Sequence, residues 1–271
     1  MSKVKTSREG GVMTIMLASP ETLNSLDLEI REDLGAAVEE AERDKTVRAV
    51  FFGGEGRAFC AGGNFKLMVD SSDAWSTHRR FRRLSRWLVP LLSLDKPVVV
   101  GMRGQAVGGG MGMALCGDLI VAGEGAKFIA GWFRLGAVPD IGVLYNLPRL
   151  IGMARAKNFL FGKGEMSAAE AFDVGIVHRL VPDDRVDEAA FEEARRLADG
   201  PAEVMGLSKT LLNRAFETTL ADMVSFEGFG QALAMANPEF AEGLAAALAK
   251  RRPDFQRAAA AAAQPARKDK Q

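Results

Sequence analysis

The sequence predicts an α/β core followed by an all-helical C-terminal region, and three observations carry that prediction. Short apolar runs rich in β-branched residues, such as Val12 to Leu17, Val47 to Phe52 and Val98 to Val100, have the length and composition of buried strands. Amphipathic segments alternate with these runs through the first two thirds of the chain. From Arg185 onward only helical periodicity remains. With 271 residues, 48 % of them hydrophobic, the chain can bury a large core as one domain, or as one domain with an appendage.

In chain order, Val12 to Leu17 reads as a strand closed by Ser19-Pro20. Asp27 is placed to cap a helix through Glu42, with Ile30, Leu34, Val38 and Ala41 on one face. Val47 to Phe52 is a second strand. It leads through Gly53-Gly54-Glu55-Gly56 and Arg57 to Gly63 into a short helix capped by Asn64. Asp73 to Leu94 has helical spacing and is expected to break at Pro90. Its basic face (His78, Arg79, Arg80, Arg82, Arg83, Arg86) reads as a solvated helix surface, because no aromatic platform accompanies it.

Leu119 to Ala122 and Lys127 to Ala130 are short strands around a Gly-Glu-Gly turn, and residues 140–175 read as helices. Val177 to Val181 follows as another strand, with His178 in a structural place. The helices Arg185 to Leu197, Ala202 to Phe216, Leu220 to Met235 and Pro238 to Lys250 come next, separated by Gly200-Pro201 and Asn237-Pro238. The alanine-rich stretch from Arg257 is expected to be disordered or to fray from the last helix.

Composition removes several function classes. Lysine plus arginine (35) balances aspartate plus glutamate (35), which argues against a chain built to coat nucleic acid. The first residues lack the apolar core of a signal peptide, and no stretch approaches the roughly 20 apolar residues of a membrane span. A cytoplasmic protein without a membrane partner is the expectation. Cys60, Cys116, His78 and His178 show no metal-ligand spacing, so no metal site is expected, and Cys60 reads as a small buried thiol.

The stretch Pro97 to Met113 organises the chain: a buried strand, a turn at Gly101 and Gly104, then Gly108-Gly109-Gly110 opening a helix. A dinucleotide fingerprint fails, because the third glycine position falls on Met113 or Leu115. A phosphate loop fails as well, since neither Gly125-Ala126-Lys127 nor Gly162-Lys163 completes it. Two readings stay open from this stretch alone: tight helix-on-strand packing, or a backbone anion pocket in which the first helical amides point at developing negative charge. The strand-glycine-helix pattern occurs a second time at Gly63. Two amides from two such turns have the geometry to hold one oxygen.

Four motifs, in order and at family spacing, resemble the enoyl-CoA hydratase/isomerase (crotonase) superfamily: Asn24-Ser25-Leu26, Gly56 to Phe65, Gly101 to Gly112, and Leu147-Pro148-Arg149-Leu150-Ile151-Gly152. The similarity runs from about residue 10 to about residue 255. It implies a crotonase-like spiral of ββα turns over residues 1–200, a C-terminal helical region at 201–256 that forms homotrimers or homohexamers, and a disordered tail at 257–271. It also implies an acyl-CoA thioester substrate, with coenzyme A belonging to that substrate and no separate cofactor. The oxyanion amides fall on Gly63 and Gly109. Positions matching Ser25, Leu26, Ala61, Asn64, Phe65 and Leu67 flank the coenzyme, and Trp132 and Pro139 are further expected substrate or coenzyme contacts. The family usually has Asp where Asn64 stands.

The departures decide the chemistry. The two glutamates of hydratases correspond to Gly112 and Trp132, and neither residue transfers a proton, so 2-enoyl-CoA hydration is disfavoured. Asp140 remains, after an apolar stretch and at an expected helix start, where burial opposes its charge and a helix end favours it. The segment resembles single-acid isomerases of the phenylacetate pathway and dienoyl-CoA isomerases, which makes Asp140 the expected proton shuttle of a double-bond shift. The Trp132 to Asp140 spacing also resembles 4-chlorobenzoyl-CoA dehalogenases, whose aspartate is a nucleophile, although their histidine base falls on Ser85. A non-catalytic acyl-CoA-binding protein is the third reading.

Overall fold

A computed structural model of the chain describes residues 2–64 and 73–263. A six-stranded sheet has the order β1-β2-β3-β4-β6-β9, formed by β1 (Val4–Glu9), β2 (Val12–Leu17), β3 (Ala49–Gly54), β4 (Val98–Met102), β6 (Leu119–Gly123) and β9 (Arg179–Val181). The β1–β2 pair is antiparallel and every other pair in this sheet is parallel. A second sheet joins β5 (Gln105–Val107), β7 (Lys127–Ile129) and β8 (Glu165–Ser167). Ten of the α-helices among the described residues are α1 (Leu28–Arg43), α2 (Ala74–Ser93), α3 (Gly109–Ala114), α4 (Val143–Ile151), α5 (Met153–Phe161), α6 (Ala168–Asp173), α7 (Val186–Ala198), α8 (Ala202–Leu212), α9 (Leu220–Met235) and α10 (Pro238–Leu248). The eleventh is α11 (Phe255–Ala263).

Alternation along the central strands feeds two cores. Val50, Phe52, Val98 and Val100 face one side with Ile30, Leu34 and Val38 of α1 and with Leu84, Trp87 and Leu91 of α2. Ala49, Phe51, Val99 and Val121 face the other side, where α7 lays down Val186, Ala189, Ala190 and Ala194. Strands covered on both faces read as unbroken apolar runs, and that is why β3 and β4 were visible in the sequence.

Some expectations need correction. β1 precedes the first expected strand; it is polar and exposed after Val4, as an edge strand is, so no apolar pattern marks it. β8 lies inside the stretch read as helices. α2 continues through Pro90 to Ser93, since a proline in the last turn removes little of the hydrogen-bond ladder. α8 ends at Leu212 rather than Phe216. Residues 255–263 are helical, which corrects the disordered tail expected from Arg257; residues 264–271 lie outside the described residues.

Two ionic links fasten the later helices to the sheet. Arg48, just before β3, donates through Nε to the Ala198 carbonyl (2.8 Å), and through Nη2 to the Gly200 carbonyl (2.7 Å) and Glu239 Oε1 of α10 (2.8 Å). Lys209 of α8 pairs with Asp118 at 2.7 Å. His178 Nδ1 donates to the Ile120 carbonyl (2.8 Å), a structural contact as expected. Among the described residues no helix is long and apolar enough to cross a membrane.

Candidate active site

The site is assembled by backbone before any side chain acts. Cys60 is locked to β5: its N–H donates to the Gln105 carbonyl (3.2 Å) and its own carbonyl accepts the Val107 N–H (2.9 Å). Its thiol donates to the Asn24 carbonyl (3.0 Å) and accepts the Gly62 N–H (3.3 Å). Gly62 has φ +87°, and a Cβ there would stand 2.5 Å from the Val107 carbonyl oxygen and 3.5 Å from the Gly109 nitrogen. The two glycine turns therefore touch, backbone to backbone, and glycine is required for that approach.

Gly109 is the first residue of α3 and is fully buried, so its N–H has no partner within the helix. Gly63 is half-buried and bridges to Leu26, whose N–H donates to the Gly62 carbonyl at 2.8 Å; that bond does not use the Gly63 N–H. The structure thus brings together the two positions expected to supply amides. It also places Ser25, Leu26 and Ala61 along the same rim. The Ala61 N–H donates to the Leu23 carbonyl (2.9 Å), and Ser25 follows Leu23 and Asn24, both at positive φ (54° and 56°). Asn64 is half-buried at the end of that strand-like stretch, while Phe65 and Leu67, with the short helix expected after Asn64, lie outside the described residues.

Asn24, quoted above only as part of a motif, is the side chain that holds this rim. Fully buried, it accepts the Ser19 N–H (2.9 Å) and donates to the carbonyls of Glu55 (2.9 Å), Ala58 (3.1 Å) and Phe59 (3.1 Å). The asparagine itself was legible; its partners are far along the chain and were not.

Asp140 sits across from the glycines. Trp132 Nε1 donates to Asp140 Oδ1 at 2.9 Å, and Trp132 Cε2 is 3.9 Å from where a Cβ on Gly108 would stand. Trp132 and Pro139 are buried and Asp140 is half-buried. The expected helix start at Asp140 needs correction: α4 begins at Val143, with Gly142 as its cap. Asp140 instead opens a tight turn closed by the Val143 N–H on the Asp140 carbonyl (3.2 Å), with Ile141 (φ 51°) and Gly142 (φ 73°) as the central residues. Two successive positive φ angles mark a type I′ turn, and a β-branched residue there is strained.

The positions matching the hydratase glutamates are structurally committed. Trp132 serves Asp140. At Gly112 a Cβ would stand closer than 3.0 Å to the Ile141 carbonyl oxygen and 2.6 Å from the Ile141 Cβ. Ser85, at the dehalogenase histidine position, donates its hydroxyl to the Arg82 carbonyl (2.6 Å), and His78 is exposed with its ring edge-on to Trp75. A separate cavity of about 650 Å3 between α1 and α2 is lined by groups such as Arg31, Glu32, Glu39, Arg83 and Arg86; Gly63, Gly109 and Asp140 are not in it.

Two glycine turns in contact within an α/β core thus stand beside the half-buried Asp140 carboxylate. The sequence profile described as Enoyl-CoA hydratase/isomerase matches residues 7–258, and the chain belongs to that family, within the crotonase superfamily of enzymes. It is 36 % identical over 238 residues to 1,2-epoxyphenylacetyl-CoA isomerase of Escherichia coli K12, covering 86 % of this chain and 90 % of the relative. It is 29 % identical over 241 residues to 4-chlorobenzoyl coenzyme A dehalogenase-2 of an Arthrobacter species, covering 88 % of this chain and 87 % of the relative. The crystal structure of an enoyl-CoA hydratase/isomerase from Cupriavidus metallidurans CH34 superimposes with a TM-score of 0.89 at 30 % identity, over 94 % of this chain and 96 % of that one.

Proposed function

We propose that the chain is an acyl-CoA thioester isomerase in which Asp140 carries a proton between two carbons while the Gly63 and Gly109 amides hold the thioester oxygen. The observation that carries this reading is the pairing of Asp140 with Trp132 next to the glycine turns, while the backbone of Ile141 fills the space an acid at residue 112 would need. One carboxylate suffices for a double-bond shift. It removes a proton from the carbon between thioester and alkene, the electrons move into the carbonyl to give a dienolate, and the protonated carboxyl returns the proton two carbons away. The negative charge develops on the thioester oxygen, where two N–H donors stabilise it. Relatives named for an isomerase and for a hydratase/isomerase are consistent with this chemistry.

A second reading is favoured by one observation: the Trp132 hydrogen bond also orients Asp140 as a nucleophile, and one relative is a 4-chlorobenzoyl coenzyme A dehalogenase. It lacks a base at Ser85. A panel of 3-enoyl, 2-enoyl, dienoyl and aryl CoA thioesters, read by product mass and ultraviolet absorbance, separates the two readings. For the isomerase, Asp140→Asn keeps acyl-CoA binding and lowers turnover by about two to four orders of magnitude. A covalent ester on Asp140 detected by mass supports the nucleophile instead, and undiminished isomerisation by Asp140→Asn defeats the assignment.

A further inference from the structure

We infer that Ile141 is a positioning residue that locks the Asp140 turn onto the glycine face of α3, so that the base and the oxyanion amide move as one body. The inference rests on the isomerase reading for its kinetic readout. Ile141 is 4 % exposed and holds φ 51°. If turn geometry alone mattered, glycine, asparagine or aspartate would serve there with less strain, so an isoleucine at this position points to a use for its side chain. That use is visible. Ile141 Cγ1 lies 3.1 Å and Cδ1 3.8 Å from where a Cβ on Gly109 would stand, and Cγ2 lies 2.9 Å from the corresponding point on Gly112.

Gly109 and Gly112 are three residues apart on α3, which puts them on one helix face. The isoleucine side chain seats in the hollow that these two glycines leave. Asp140 is its chain neighbour, and Gly109 is the residue whose amide faces the thioester oxygen in the proposed reaction. One buried side chain therefore sets the spacing between proton shuttle and amide donor. In this chain a side chain at 112 would displace the turn that carries Asp140.

The test uses Ile141→Val, Ile141→Ala, Gly112→Ala and the double variant Ile141→Ala/Gly112→Ala, each checked for cooperative unfolding. Two signals are read: turnover with the preferred enoyl-CoA, and the infrared carbonyl stretch of a bound saturated acyl-CoA labelled with 13C at the thioester carbonyl. Ile141→Val keeps both γ-carbon contacts, losing only Cδ1, and should stay within a few-fold of wild type. Ile141→Ala and Gly112→Ala should each lower kcat by about 10-fold to 100-fold, with acyl-CoA Kd nearly unchanged and a smaller carbonyl shift. The double variant should be little worse than Gly112→Ala alone, since both act on one contact. Wild-type kcat and carbonyl shift in folded Ile141→Ala, or losses that multiply in the double variant, would overturn the inference. The carbonyl shift needs only a bound thioester, so it decides the role of Ile141 even if wild type fails to isomerise any member of the panel, a result that counts against the isomerase reading alone.

Discussion

Trp132 is bonded to Asp140 through a single N–H at 2.9 Å, which makes the indole a probe of the carboxylate. Trp132→Phe keeps the ring in its buried place and removes that donor. A hydrogen bond to a charged group is worth about 1.5–3 kcal/mol, so kcat should fall about 10-fold to 100-fold while acyl-CoA binding, measured by calorimetry, holds. Cys60 and Cys116 test burial instead of chemistry. Both are buried, and desolvation pushes each thiol from 9.0 up to about 12. Neither should react with iodoacetamide in the native state at pH 8, whereas both should react in guanidinium. The unfolded thiol ionises above about pH 9 and the folded one does not, so this part of the stability is complete below pH 9 and is lost as pH rises toward 12. Rapid native labelling of Cys60 would show that the loop it pins to Asn24 and β5 opens readily. At this scale the sequence displayed the residues but not their bonds. Gly63 and Gly109 could be singled out by the repeated strand-glycine-helix pattern, and Trp132 and Asp140 by the family resemblance, yet nothing local marks Ile141 for positive φ, because the packing that holds it there comes from α3.

Elements were legible in proportion to their burial. β3 and β4 are apolar throughout and α1 has a clean apolar stripe, so local pattern and tertiary role agree. β1, β5 and β8 are short or polar and are held by neighbours contributed from elsewhere in the chain, a cause that no window of sequence contains. The attachment of α7, α8 and α10 was equally hidden, since it depends on Arg48 reaching across the fold to Ala198, Gly200 and Glu239 and on Lys209 reaching Asp118. Arg48 and Glu239 are 9 % and 1 % exposed, so removing one partner strands the other charge in the interior. Arg48→Ala should cost about 3–5 kcal/mol of stability. Glu239→Ala on top of it should cost little more, and a thermal-melt double-mutant cycle measures the difference. Full additivity would mean that the two groups do not sense each other.

At the scale of the whole molecule, the helices beyond Gly200 leave many large apolar side chains exposed on a single copy of the chain. Leu212 (70 % exposed), Phe216 (74 %), Leu220 (80 %), Phe229 (70 %) and Leu233 (65 %) belong to α8, α9 and the link between them. α9 buries only Gly230 and Ala234 within its own chain, so the face that usually makes a helix stable is here turned outward. Large apolar side chains exposed this densely along neighbouring helices mark a contact with another protein surface. We propose that further copies of the chain cover this face, in a trimer or a pair of trimers, as the resemblance of residues 201–256 to an assembly region implies. Sedimentation velocity at micromolar concentration should therefore show a species of at least three subunits. Phe229→Glu, together with Leu233→Glu, should shift it toward monomer, because two carboxylates in an apolar interface lose hydration without gaining partners. The glycine turns and Asp140 lie in the earlier part of the chain, so the monomeric variant also asks whether one subunit suffices. Turnover per chain that survives dissociation would confine the chemistry to residues of a single copy. Turnover that disappears while the fold persists would make assembly a condition of activity, and a monomeric wild type would leave the apolar face without the occupant assigned to it.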